Sequence, residues 1–147
     1  YWIANPRIPQ AARSPVLGPH ASALTLRTRS NFTETEALLA GGKVDHARAK
    51  ALAFANKSLA ADMAMGPLLA LCSSEAEASR GCAALAGWDR RYEATSRGAA
   101  LFRAFWAKAA RIPGLWAVPF DAADPINTPR DLNTAAVGTK LLAALNA

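Results

Sequence analysis

The chain has 147 residues and a mass of 15.5 kDa, 52% of it hydrophobic and 19% charged. That is enough to bury roughly two-thirds of the unfolded surface, which excludes a disordered chain, while no apolar run approaches the ~20 residues of a spanning helix, so a soluble domain is expected. The net charge of +6 raises nucleic acid or an anionic membrane as partners, but the 17 Lys and Arg are scattered, so neither is expected and the cations read as a solvated basic surface.

The chain opens on Tyr1-Trp2-Ile3 with no initiator Met, basic n-region or cleavage site, and closes on an amphipathic Leu141-Leu142-Ala143-Ala144-Leu145 pattern without a stop signal. The expectation is an internal piece of a longer polypeptide. The first ~30 residues contain Asn5-Pro6, Ile8-Pro9, Ser14-Pro15 and Gly18-Pro19, too much proline for a helix. An irregular, Pro-rich N-terminal arm over residues 1–32 is predicted, followed by a helical lobe over 33–147.

Within the lobe, Thr33-Glu34-Thr35-Glu36 has the form of a capping box and Gly41-Gly42 supplies a stop, which predicts a short helix over about 34–40. Asp45 caps the next, with Ala49, Leu52, Ala53 and Asn56 on one face until Lys57-Ser58 interrupts. A further helical stretch runs from about Leu59 to Leu71, with Pro67 expected either to kink it or to open a separate helix ending at Cys72. Ser74-Glu75-Ala76-Glu77 is a second capping box, and its helix turns Ala78, Cys82, Leu85 and Trp88 inward. Ser96 is expected to cap a strongly amphipathic helix bearing Leu101, Phe102, Phe105, Trp106 and Ala109, ended by Pro113-Gly114. Residues 115–129 read as a Pro-punctuated connection, and a last helix starts near Asp131 or Thr134 with Leu141, Leu142 and Leu145 on one side. The fold class is mainly α.

Self-contained chemistry is hard to find in these residues. His20 follows Gly18-Pro19 and His46 opens a helix, so neither has the convergent partners of a catalytic base. Asp121 and Asp124 could form a carboxylate pair, but Asp124-Pro125 reads as a turn element. No metal-ligand spacing exists, and no cofactor is expected. Cys72 and Cys82, ten residues apart, could join two antiparallel elements; their spacing leaves a disulfide and two buried thiols equally open.

Several segments together resemble the β-chain of the penicillin amidase family of N-terminal nucleophile hydrolases, in its acyl-homoserine-lactone acylase and aculeacin-acylase branch. They are Trp2-Ile3-Ala4-Asn5-Pro6-Arg7-Ile8-Pro9, Ser14-Pro15-Val16-Leu17-Gly18, Leu26-Arg27-Thr28-Arg29, the runs from Cys82 to Arg90 and Ser96 to Trp106, Pro119-Phe120-Asp121, and Asp124-Pro125-Ile126-Asn127-Thr128-Pro129. In order and spacing they cover nearly the whole chain. The resemblance implies one lobe of a larger αββα hydrolase that removes the acyl side chain of an acyl-homoserine lactone, a lipopeptide or a β-lactam. The nucleophile is then a serine freed at the β-chain N-terminus, whose α-amino group, titrating near 8, serves as general base. An Asn just upstream of the Tyr1-Trp2 pair would complete the oxyanion hole.

Neither group lies in these 147 residues, so no catalytic residue is assigned here and the piece alone is expected to be inactive. Asn5 belongs to the W-x-x-N-P segment and reads as a loop residue. Trp2 is the one residue expected near the acyl pocket. The partners implied are the remaining α- and β-chain segments and a small acyl-amide substrate. The compartment implied is periplasmic or secreted, hence oxidising, which favours the Cys72–Cys82 bridge. The alternative reading is a stand-alone helical interaction module presenting Phe102, Phe105 and Trp106 to a partner.

Overall fold

The computed structural model describes Val16 and residues 22–73 and 79–147. The predicted arm up to residue 21, Val16 apart, and the Ser74–Glu77 capping box lie outside the described residues.

The first helix, α1 (Leu26–Ala40), begins eight residues before the predicted start, because Thr25 caps it by accepting from the Thr28 amide. Nothing between Leu26 and Ala40 breaks a helix, so the later capping-box signal falls inside it. There the Thr33 hydroxyl donates instead to the carbonyls of Arg29 and Ser30. Gly41 terminates α1, its N–H bonding back to the Ala37 carbonyl.

Asp45 caps α2 (His46–Ala53) through the Arg48 amide. Asn56, expected on its face, is off the helix, because its backbone is left-handed at φ 47°. Ser58 then caps α3 (Leu59–Cys72). This helix is continuous through Pro67, although proline gives no amide to the preceding turn, a defect worth about 3 kcal/mol in an isolated helix. Burial offsets it: Ala61, Ala64, Met65 and Leu68, one helical face by spacing, are almost wholly inaccessible.

The disulfide between Cys72 and Cys82, with Cα atoms 5.9 Å apart, joins the end of α3 to α4 (Ser79–Ala86). The next helix, α5 (Ala99–Ala109), starts from Gly98 at φ 103° rather than from a Ser96 cap. The Ser96 hydroxyl donates to Asp89 Oδ2, 2.9 Å away, and so is engaged elsewhere. The predicted connection after α5 contains two short strands, β1 (Trp116–Val118) and β2 (Arg130–Leu132), paired antiparallel with Trp116 opposite Leu132. Asn133 then caps α6 (Thr134–Asn146).

The core lies where α3, α5 and α6 meet, α6 packing on both of the others and α4 closing on α3 and α5. Phe102, Phe105, Met65, Leu68, Leu85 and Leu141 are its largest fully buried side chains. An aromatic run crosses it: Tyr92 meets Trp88, Trp88 meets Phe102 at 4.9 Å, Phe102 stacks on Trp106, and Trp106 abuts Trp116. Such pairs add about 0.5–1.5 kcal/mol each beyond the area they bury. The fold is mainly α, as its periodicity indicates, with the small sheet as an addition.

Candidate functional site

Three arginines bond to main-chain carbonyls that secondary structure leaves unpaired. From α1, the buried Arg29 reaches the loop before β2: its Nε donates to the Ile126 carbonyl and its Nη1 to that of Pro129, at 2.6 Å. From α2, Arg48 Nη2 donates to the Leu38 carbonyl at 2.9 Å, satisfying an orphan acceptor in the last turn of α1. Arg91 Nη1 donates to the Ala55 carbonyl at 2.8 Å, alongside the bridge between Lys57 and Arg91. A guanidinium suits this work because its donors are fixed in a fork and it keeps its charge under a partial desolvation. Part of the basic surplus therefore serves as internal fastening, in contrast to the wholly solvated surface that the scatter of cations predicts.

Burial pushes the Arg29 guanidinium below the ordinary arginine range, while the negative charge of Asp124 opposes that shift. The group remains a cation at neutral pH. The loop it grips, 121–129, is internally tied. The buried Thr128 hydroxyl donates to the Asp124 carbonyl at 2.6 Å and accepts from the Asp121 amide at 2.9 Å. Asp121 Oδ1 accepts from the Ala123 amide, and Asp124 Oδ1 from the Asn127 side chain, each at 2.8 Å. Both carboxylates thus hold the turn together, in keeping with Asp124-Pro125 as a turn element.

Two cavities flank α1. The smaller, about 280 Å³, lies between Arg29, Thr33, Leu59, Met63 and the 126–131 segment. The larger, about 750 Å³, is a groove bounded by α1 on one side and by α2 and residues 55–60 on the other. Its α1 wall is a single stripe, including Leu26, Ser30, Glu34 and Leu38, and Lys57 reaches across to Glu34 at 3.6 Å.

His46 stands exposed at the first position of α2. Trp2, Asn5 and His20 lie outside the described residues. Both cysteines are in the disulfide, so no thiol is available as a nucleophile. Among the described residues there is no cluster of three or more metal-ligating side chains, and no helix is long and apolar enough to cross a membrane. The arginine fastenings had no signal of their own in the sequence: Arg29 stands out only as part of the Leu26-Arg27-Thr28-Arg29 resemblance, and Arg48 and Arg91 look like any surface cation.

The described residues form a helical lobe tied by a disulfide and by arginine-to-carbonyl bonds. The chain belongs to the penicillin amidase family, whose profile matches residues 4–146. It is 30% identical, over 98% of its own length, to the acyl-homoserine lactone acylase PvdQ of Pseudomonas syringae pv. syringae. It is 33% identical, over 88% of its length, to the aculeacin-A acylase of Actinoplanes utahensis. The chain spans only about a fifth of either relative, 20% and 18%.

Proposed function

We propose that this chain is one lobe of an acylase that hydrolyses a linear amide, releasing an acyl chain from an amine such as an acyl-homoserine lactone, a lipopeptide or a β-lactam nucleus. The observation that carries the reading is the family match across residues 4–146, together with relatives named as acylases. On this reading the nucleophile is an N-terminal serine elsewhere in the polypeptide, its own α-amine takes the proton, and water later releases the acyl group. The lobe contributes position rather than chemistry, and a displacement of about 1 Å at a reacting group can cost ~100-fold in rate. Trp2 is assigned to the neighbourhood of the acyl pocket. The Cys72–Cys82 disulfide supports a periplasmic or secreted location, where such bonds persist.

The test is to supply an acyl-homoserine lactone, a lipopeptide and a β-lactam in turn to the complete gene product and to the 147-residue chain, and to quantify the free amine released. Amine release by the complete product alone is expected. Release by the isolated chain would overturn the division of labour, and release by neither, across all three substrate types, would overturn the acylase reading.

A further inference from the structure

The segment between α1 and α3 is held differently from the rest of the lobe. None of the 8 residues of α2 is buried, whereas α3 buries Ala60, Ala61, Ala64, Met65 and Leu68. Within α2 only Arg48 and Leu52, one turn apart, are partly covered, and the other residues are exposed. Phe54 does not anchor the far end, being 67% exposed. So short a helix without a buried apolar face is marginal in water, and its place depends on what ties it down. Arg48 is the tie to α1: Nη2 donates to the Leu38 carbonyl at 2.9 Å, and Nη1, on the Lys43 carbonyl, orients the group. Gly41 makes room for that guanidinium, since a Cβ there would stand 2.6 Å from Nη2. Both flanks of the segment have left-handed backbone, Gly42 at φ 95° and Asn56 at φ 47°. The chain is fixed at those flanks: the Gly42 amide bonds to the Leu39 carbonyl, the Ala55 carbonyl accepts from Arg91 Nη1, and the Asn56 carbonyl accepts from the Tyr92 amide.

We infer that residues 43–54 form a strap that opens from α1 as a unit, pivoting at Gly42 and Asn56, with Arg48 as its latch. Opening gives up the bond from Arg48 to the Leu38 carbonyl, both ends of which water can then satisfy, and the partial cover of Leu52. Opening α3 would instead expose Ala61, Ala64, Met65 and Leu68, each at 1% exposure or less. Segments with few buried apolar contacts open well below the free energy of global unfolding. The pivots suit such a motion, because a few residues at element ends absorb the change in φ and ψ. The α3 side stays closed, since Arg91, Tyr92 and the Lys57–Glu34 ion pair at 3.6 Å all act on residues 55–57. Opening therefore widens the groove of about 750 Å³ from its α2 wall alone.

The experiment is hydrogen–deuterium exchange of the complete gene product under native conditions, from milliseconds to hours, read by peptide mass spectrometry. No substrate is present, so the result stands apart from whether the product hydrolyses an amide. The amides of residues 49–54 are expected to exchange roughly 100-fold faster than those of α3. Arg48→Met removes the latch and keeps an aliphatic stem, and should speed exchange of 49–54 about tenfold further while leaving α3 unchanged. Gly41→Ala should do the same by displacing the guanidinium, because its φ of −75° is open to any residue. Exchange of 49–54 at the rate of α3 would overturn the strap. Fast exchange that neither variant alters would overturn Arg48 as its latch. A rise spread over α1, α2 and α3 together in both variants would overturn the separate unit by showing one cooperative fold.

Discussion

Nη1 of Arg29 lies 2.6 Å from the carbonyl oxygen of Pro129, a hundred residues further along the chain, and the same guanidinium holds the Ile126 carbonyl through Nε. One side chain, the one buried residue of α1, thereby fixes that helix to the 121–129 loop. Replacing Arg29 by Met removes both donors and keeps much of the volume. Hydrogen bonds to charged groups are worth about 1.5–3 kcal/mol each, so a loss of about 3 kcal/mol is expected. Arg29→Lys, which offers a point charge in place of a fork, should recover less than half of it. Urea unfolding followed by tryptophan fluorescence checks both; a shift under 0.5 kcal/mol for Arg29→Met would show that the bonds do not hold the loop.

Gly98 and Trp88 offer a second test. A Cβ at Gly98 would stand 2.8 Å from Trp88 Cβ, and the residue sits at φ 103°. Gly98→Ala therefore combines backbone strain with a clash against a core aromatic, at an expected cost of about 2–4 kcal/mol. Gly114 has φ 75° and nothing near its would-be Cβ, so Gly114→Ala should show the strain alone, about 1 kcal/mol. Equal losses for the two in the same unfolding assay would show that contact with Trp88 adds nothing.

The bridge from Cys72 to Cys82 closes a short loop with a sequence separation of 10. Loop-closure entropy predicts about 3 kcal/mol of stabilisation. Non-reducing mass spectrometry of native protein should find no alkylatable thiol, and reductant should lower the unfolding midpoint. Two free thiols, or a midpoint indifferent to reductant, would contradict the structure at this point.

Thr128 tests the loop itself. Its buried hydroxyl serves the Asp124 carbonyl and the Asp121 amide at once, and Thr128→Val keeps the shape while leaving both without that partner. A loss of about 1–3 kcal/mol is expected, with faster amide exchange confined to residues 121–128. Exchange unchanged across that loop would count against the hydroxyl as its organiser.

The parts of the fold legible in the sequence were those set by local periodicity or a local stop. Ala61, Ala64, Met65 and Leu68 mark α3, Phe102 and Phe105 mark α5, and Leu141 with Leu145 marks α6. Starts were less legible, because several residues can cap and the chain uses one. Thr25 displaced the Thr33 box, and Gly98 displaced Ser96, whose hydroxyl Asp89 had taken. The two strands were invisible, since three residues each carry too little pattern and their pairing joins residues far apart in sequence. The arginine fastenings were hidden for the same reason. Whether Arg29 meets water or the Pro129 carbonyl depends on a fold that brings α1 to a loop a hundred residues away.

The central claim is that this lobe belongs to an acylase whose nucleophile lies elsewhere in the polypeptide. The most direct measurement is to treat the complete gene product with a serine-directed sulfonyl fluoride, follow loss of amide hydrolysis, and map the modified residue by peptide mass spectrometry. The account predicts one label, on an N-terminal serine outside these 147 residues, in step with lost activity. A label tracking activity on any serine within residues 1–147 would contradict it.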